Sequence, residues 1–221
     1  MIFHFEQIRP DLPYILEGTF VTLEYAGLSA LCGFILGNFL AIFKISQNRL
    51  LRGFAYLYTS IFRGTPLLVQ LSLIYYATPE LLGYKISAFQ AGILAFSLNS
   101  AAYVSETIRA GIQAIDRGQF EASAALGISH LTTLKSIILP QAIKNILPAL
   151  VNESIDLVKE SALVSVIGEL DLLRRANIVS AKTYLFFEPL MIVAVIYYVI
   201  VMILTYVSKH IEKWMRQSDS H

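Results

Sequence analysis

Tyr25-Ala26-Gly27-Leu28-Ser29-Ala30-Leu31-Cys32-Gly33-Phe34-Ile35-Leu36-Gly37-Asn38-Phe39-Leu40-Ala41-Ile42-Phe43 contains no charged side chain. A helix of this length crosses about 30 Å of hydrocarbon, the thickness of a bilayer core. Similar intervals recur along the chain. Residues 53–79 are interrupted only by Arg63, and residues 86–105 and 189–208 are free of charge. Residues 141–167 form a weaker candidate, because Glu153, Asp156, Lys159 and Glu160 lie within them. Such a helix is expected to keep part of its surface away from lipid. The expectation is an all-α membrane protein of about five transmembrane helices, built as one membrane domain over residues 1–221.

Composition agrees with this reading. Charged residues make up 15% of the 221-residue chain, against about a quarter in soluble domains. The net charge of +1 and the absence of a basic block argue against a nucleic-acid partner,. Cys32 is the single cysteine, so no internal disulfide forms,. The first residues carry Glu6, Arg9, Asp11 and Glu17 rather than the basic-then-apolar order of a cleaved signal,. The spans themselves are therefore expected to direct insertion.

Lysine and arginine set the expected orientation. With a cytoplasmic C-terminus, ten of them (Lys44, Arg49, Arg52, Arg109, Arg117, Lys135, Lys144, Lys209, Lys213 and Arg216) lie inside. Five (Arg9, Lys85, Arg174, Arg175 and Lys182) lie outside. The excess satisfies the positive-inside rule and places the N-terminus outside. Trp214 and the Tyr197/Tyr198 pair read as interfacial anchors or as lipid-facing filler.

Between the third and fourth spans, at about residues 110–140, lies Glu121-Ala122-Ser123-Ala124-Ala125-Leu126-Gly127, followed nine residues later by Ile137-Ile138-Leu139-Pro140. Alanine and leucine favour a short helix, and Gly127 suits a left-handed C-cap. Pro140 suits the first turn of the next helix. This predicts a small cytoplasmic helix with a face open to another protein.

The pattern Glu-Ala-Ala, three residues, Gly, nine residues, Ile-x-Leu-Pro resembles the coupling-loop signature of ABC importer permeases. Ser123 departs from it, standing where the second alanine is usual. Arg63-Gly64-Thr65-Pro66-Leu67-Leu68-Val69-Gln70 resembles the second-span motif of the polar amino acid branch. Residues 102–112, Gly118-Gln119-Phe120-Glu121 and residues 157–168 resemble further motifs of that branch, in the same order. The likeness covers about residues 19–214 and is similar to the histidine, glutamine and arginine uptake permeases. It implies that Glu121, Ala122, Ala125, Leu126 and Gly127 couple the chain to two ABC ATPase subunits, which hold the ATP and Mg. It also implies a second permease copy or a sister permease, and an extracytoplasmic amino-acid-binding protein. The location implied is a bacterial cell (inner) membrane. The chain has no Gly-x-x-x-x-Gly-Lys-Ser/Thr loop of its own,. It is expected to bind no cofactor and to be no enzyme.

Glu153, Asp156 and Glu160 fall at i, i+3 and i+7, on one helical face. They line a substrate path for a cationic group, or they pair internally with Lys159 and Arg63 or form a subunit contact. On the first reading a cationic amino acid such as arginine is favoured over glutamine. Asn99 and Glu106 share a face of the third span. Asn99 is a path candidate, and Glu106 suits an inter-helix hydrogen bond. Arg63-Gly64-Thr65-Pro66 breaks the second helix, with Gly64 letting chains approach closely; Arg63, Gly64 and Pro66 read as a structural kink in preference to direct substrate contact. His4, His130, His210 and His221 show no metal-ligand spacing, and no catalytic group set appears. Two other classes fit less of the chain: a self-sufficient channel or ion-coupled carrier leaves the 121–127 helix without a task, and an intramembrane enzyme lacks a catalytic group set.

Overall fold

The computed structural model describes residues 4–217, with side chains to residue 213. Every regular element among the described residues is helical. A short helix α1 (Phe5–Ile8) runs through a 3₁₀ turn into α2 (Leu12–Ile45). Then come α3 (Arg49–Gly64), α4 (Leu67–Leu82) and α5 (Ala88–Gln113). The segment after α5 holds α6 (Arg117–Ala125) and α7 (His130–Thr133). A π turn at Leu134–Ile138 leads into α8 (Leu139–Glu160), extended by a 3₁₀ segment, Ser161–Ile167. The chain ends with α9 (Leu172–Thr183) and α10 (Phe187–Gln217).

Three of these runs are long and apolar enough to cross a membrane: Phe5–Ile45, His130–Ile167 and Phe187–Lys213. Leu67–Leu82 is a shorter apolar helix. This multi-pass helical architecture agrees with the sequence, but the emphasis differs. The charged segment around residues 141–167 lies in a 38-residue helical run. The charge-free interval 86–105 lies in α5, a 26-residue helix less apolar than those three runs. Packing explains the difference. Ala91, Ala95, Phe96, Asn99, Ser100, Ala101 and Ser105 of α5 are buried among α2, α3, α4 and α8. A helix enclosed by protein does not need a lipid-compatible surface.

The interval 53–79 is not one helix but two. Thr65 and Pro66 are extended between α3 and α4. Proline has no N–H and pushes the preceding residue out of the helical region, so the run stops at Gly64. A Cβ built on Gly64 meets nothing within 4 Å. No other helix of this chain therefore packs closely on Gly64. Close approach occurs between α2 and α5 instead. A Cβ on Gly33 would come 2.7 Å from the Ser100 side chain, and one on Gly37 would come 2.5 Å from Val104. Across the same pair, Gly92 makes room for the ring of Tyr25. These small residues let two helix backbones pack tightly where no hydrophobic effect drives association.

The largest apolar cluster joins Tyr25, Leu71, Phe96, Leu157 and Val164 from α2, α4, α5, α8 and its extension. A second cluster, Ile8, Ile15, Leu172, Val179 and Val193, holds α9 against the start of α2 and α10. Tyr197 packs on both clusters with its hydroxyl buried, so it is not an interfacial anchor, whereas Tyr198 is exposed. The Trp214 and Arg216 side chains and His221 lie outside the described residues.

Candidate functional site

Asp116 caps α6 through its Oδ1, which accepts from the Gly118 N–H at 2.8 Å. At the other end Gly127 takes φ +72°. Its N–H bonds the Ala124 carbonyl, and the Ile128 N–H bonds the Ser123 carbonyl, both at 3.0 Å. This 5→2 and 6→1 pairing is the Schellman arrangement, which satisfies the last carbonyls of the helix. Ser123, which departs from the signature, is the buried residue of α6, and its hydroxyl donates to the Gln119 carbonyl. Glu121, Ala122, Ala125 and Leu126 are exposed. The substitution thus faces inward, away from the surface the helix presents. Phe120 ties the helix to Ile115, Ile138 and Ile146.

Pro140 lies in the first turn of α8, but α8 does not start afresh there. Ser129 caps α7, and the helical path continues through the π turn. Pro140 has no N–H to give to Ser136. The Leu139 N–H reaches back to Leu134, and the widened turn accommodates the ring,.

The four path candidates come together. Asn99, Glu153, Asp156 and Glu160, with Tyr103, Lys159 and Leu163, line an open cavity of about 590 Å³. Asp156 is paired with Lys159 at 2.6 Å. Among the described residues Glu153 and Glu160 have no salt-bridge partner. Glu153 also borders a second, largely apolar cavity of about 230 Å³ between α2, α5 and α8. Glu121, Ala122, Ala125, Leu126 and Gly127, for which coupling is expected, lie apart, on α6 and its cap, and do not line this cavity.

The broken helix borders the same place. The Gln70 amide donates to the carbonyls of Phe62 and Thr65, at 2.9 and 3.0 Å, and to the Thr65 hydroxyl. Asn99 Nδ2 donates to the Phe62 carbonyl at 3.1 Å and to Gln70 Oε1 at 3.0 Å. Side-chain amides thus take over carbonyls that the break leaves open. Asn99 both lines the cavity and holds the break. Gln70 was missed as a functional residue. Its signal is a buried amide four residues after Pro66 in an otherwise apolar helix.

Arg63 does not join the acidic wall in a salt bridge. Its guanidinium lies over the Tyr103 ring, 5.2 Å from the centroid, and 3.9 Å from Glu106. Glu106 makes the expected inter-helix bond. It accepts from buried Lys44 at 2.6 Å and from Arg109 at 2.6 and 3.1 Å.

A bundle whose polar residues gather on one cavity, beside a broken helix and a capped helix outside the spans, defines a membrane transport subunit. The chain belongs to the family of binding-protein-dependent transport system inner membrane components, which it matches over residues 32–217. It is 57% identical over 206 residues to a Rickettsia felis protein provisionally named as the glutamine transport system permease protein GlnP, covering 93% of this chain and 94% of the relative. It is 52% identical to the Bacillus subtilis arginine transport system permease protein ArtQ, covering 97% of this chain and 98% of that one. Among solved structures, a chain from an amino acid ABC transporter crystallised with histidines superposes with a TM-score of 0.93 at 45% identity, covering 96% of this chain and 99% of that one. An inward-facing MetNI methionine ABC transporter shares the fold at a TM-score of 0.75 and 20% identity, covering 93% and 98% of the two chains.

Proposed function

We propose that this chain is the channel-forming permease subunit of an ATP-driven importer of polar amino acids, with cationic amino acids such as arginine preferred over glutamine. The observation that carries this reading is the acidic cavity. Three carboxylates from one face of α8 border it, and the one lining cation, Lys159, is engaged by Asp156. An unpaired carboxylate at membrane depth is costly, so Glu153 and Glu160 require water or a cation there. An α-ammonium meets that need, and a cationic side chain meets it twice. Relatives named for glutamine and arginine transport support the substrate class.

In this reading residues 1–221 form one membrane domain that crosses a bacterial inner membrane five times. The crossings are α2, α3 with α4, α5, α8 and α10. The N-terminus is outside and the C-terminus is cytoplasmic. Two copies of the chain, or this chain and a sister permease, enclose the path. The exposed face of α6 seats on one of two ATPase subunits, which carry the ATP and Mg. An extracytoplasmic binding protein delivers the amino acid. ATP-driven closure of the ATPases moves α6, and with it α5 and α8, whose cavity-lining faces then open to the other side.

Glu153→Gln tests the substrate assignment in proteoliposomes carrying the assembled transporter. Arginine uptake weakens more than glutamine uptake, by about 1.5–3 kcal/mol, the value of a hydrogen bond to a charged group. Equal loss for both substrates speaks for a structural carboxylate instead.

A further inference from the structure

Two charge clusters of opposite surplus flank Tyr103. On one side the cavity wall holds Glu153, Asp156 and Glu160 against Lys159. On the other, Lys44, Arg63 and Arg109 surround the single carboxylate of Glu106. Both oxygens of Glu106 are already taken, Oε1 by Lys44 and Oε2 by Arg109, at 2.6 Å each. Arg63 stands 3.9 Å off, beyond hydrogen-bonding distance,. Its guanidinium donates no hydrogen bond among the described residues. It is held by its stem at the end of α3 and by the Tyr103 ring beneath it.

A guanidinium held over an aromatic ring, with its N–H fork unused, suits bidentate binding of a carboxylate,. Arg63 is 45% exposed at its side chain and within electrostatic reach of Glu153. Tyr103, on which it rests, lines the cavity. An amino acid carries an anionic and a cationic group on one carbon. The acidic wall answers the ammonium, and its lining cation, Lys159, is already paired with Asp156. We infer that Arg63, seated on Tyr103, binds the α-carboxylate of the transported amino acid and sets specificity for that group. This rests on the reading of the cavity as the substrate path. It gives Arg63 a role beyond the helix break beside it, since the side chains of Gln70, Asn99 and Thr65 hold the broken backbone without it.

The test uses the purified permease–ATPase complex and equilibrium binding of labelled arginine and labelled agmatine, which has the same side chain without the carboxylate. The unmodified complex is expected to bind arginine about 10- to 100-fold more tightly than agmatine. Arg63→Gln is expected to lose that factor for arginine and leave agmatine binding unchanged. Arg63→Lys, which keeps the charge but not the fork, is expected to recover part of the arginine affinity. It also serves as the readout if the glutamine variant does not assemble, with arginine weakened and agmatine unchanged. Unchanged arginine binding in both variants, or equal loss for arginine and agmatine, would overturn the assignment of Arg63. Failure of the unmodified complex to bind arginine or glutamine at all would overturn the cavity as substrate path, and the inference with it.

Discussion

Asp171 is fully buried between the 3₁₀ segment and α9. Its oxygens accept from the backbone N–H groups of Arg174 and Leu173, at 2.9 and 3.2 Å, capping α9. Those bonds favour the carboxylate, but burial outweighs them and pushes its pKa up to about 6,. The folded state therefore holds the proton more tightly than the unfolded chain, where an aspartate titrates near 3.9. Stability from this group is full below about pH 4, declines as pH rises through about 6, and is level above that. The decline is on the order of 2–3 kcal/mol. Asp171→Asn keeps a capping oxygen without a titratable proton. Thermal unfolding of the solubilised protein between pH 4 and 7 should then lose the share of its slope that Asp171 contributes, and the variant should vary less with pH than the unmodified protein. An unchanged slope would remove Asp171 as its source.

At the scale of elements, α6 depends on how it stops. Gly127 holds φ +72°, and a Cβ there meets nothing within 4 Å. The cost of a side chain is therefore backbone strain alone, about 1–2 kcal/mol for most residues and more for a β-branched one. Gly127→Val should leave the spans folded while the end of α6 loses its geometry. Substrate-stimulated ATP hydrolysis and uptake should fall together, with membrane levels of the protein unchanged. Normal ATP-driven uptake in this variant would show that the cap plays no part in coupling. The cap was legible because its cause is local, a glycine ending an alanine-rich run. The break at Thr65–Pro66 was legible from Pro66, but what holds it was not. Asn99 stabilises it from another helix, and sequence spacing cannot show that approach. The π turn escaped for a related reason. Pro140 announces a missing N–H, but the backbone's choice to widen the preceding turn rather than end the helix depends on packing around Ile138 and Ala142.

For the whole molecule, the charge pattern underlies both the proposed orientation and the proposed site. The acidic wall was legible because the 3.6-residue period puts Glu153, Asp156 and Glu160 on one face. Of the two readings left open for that face, the internal pair exists for Asp156 with Lys159. Arg63 turns instead towards Glu106 and Tyr103, a choice set by the helix break. Apolar length overstated the exposure of residues 86–105 and understated residues 141–167. Lipid contact is settled by neighbours, and α5 lies among four helices. Orientation is tested by placing a cysteine at the exposed position Ser129 after replacing Cys32. An impermeant thiol reagent should label Ser129→Cys only in inverted vesicles or opened cells. Labelling from the outer face of sealed cells would reverse the topology.

The central claim is that this chain moves amino acids under the power of a partner ATPase. It is tested most directly by uptake of labelled arginine and glutamine into proteoliposomes, with the chain alone and with its ATPase and binding protein. The account predicts uptake only in the complete assembly, with ATP, and with arginine accumulated ahead of glutamine. Uptake by the chain alone, driven by an ion gradient and indifferent to ATP, would contradict it and point to a self-sufficient carrier.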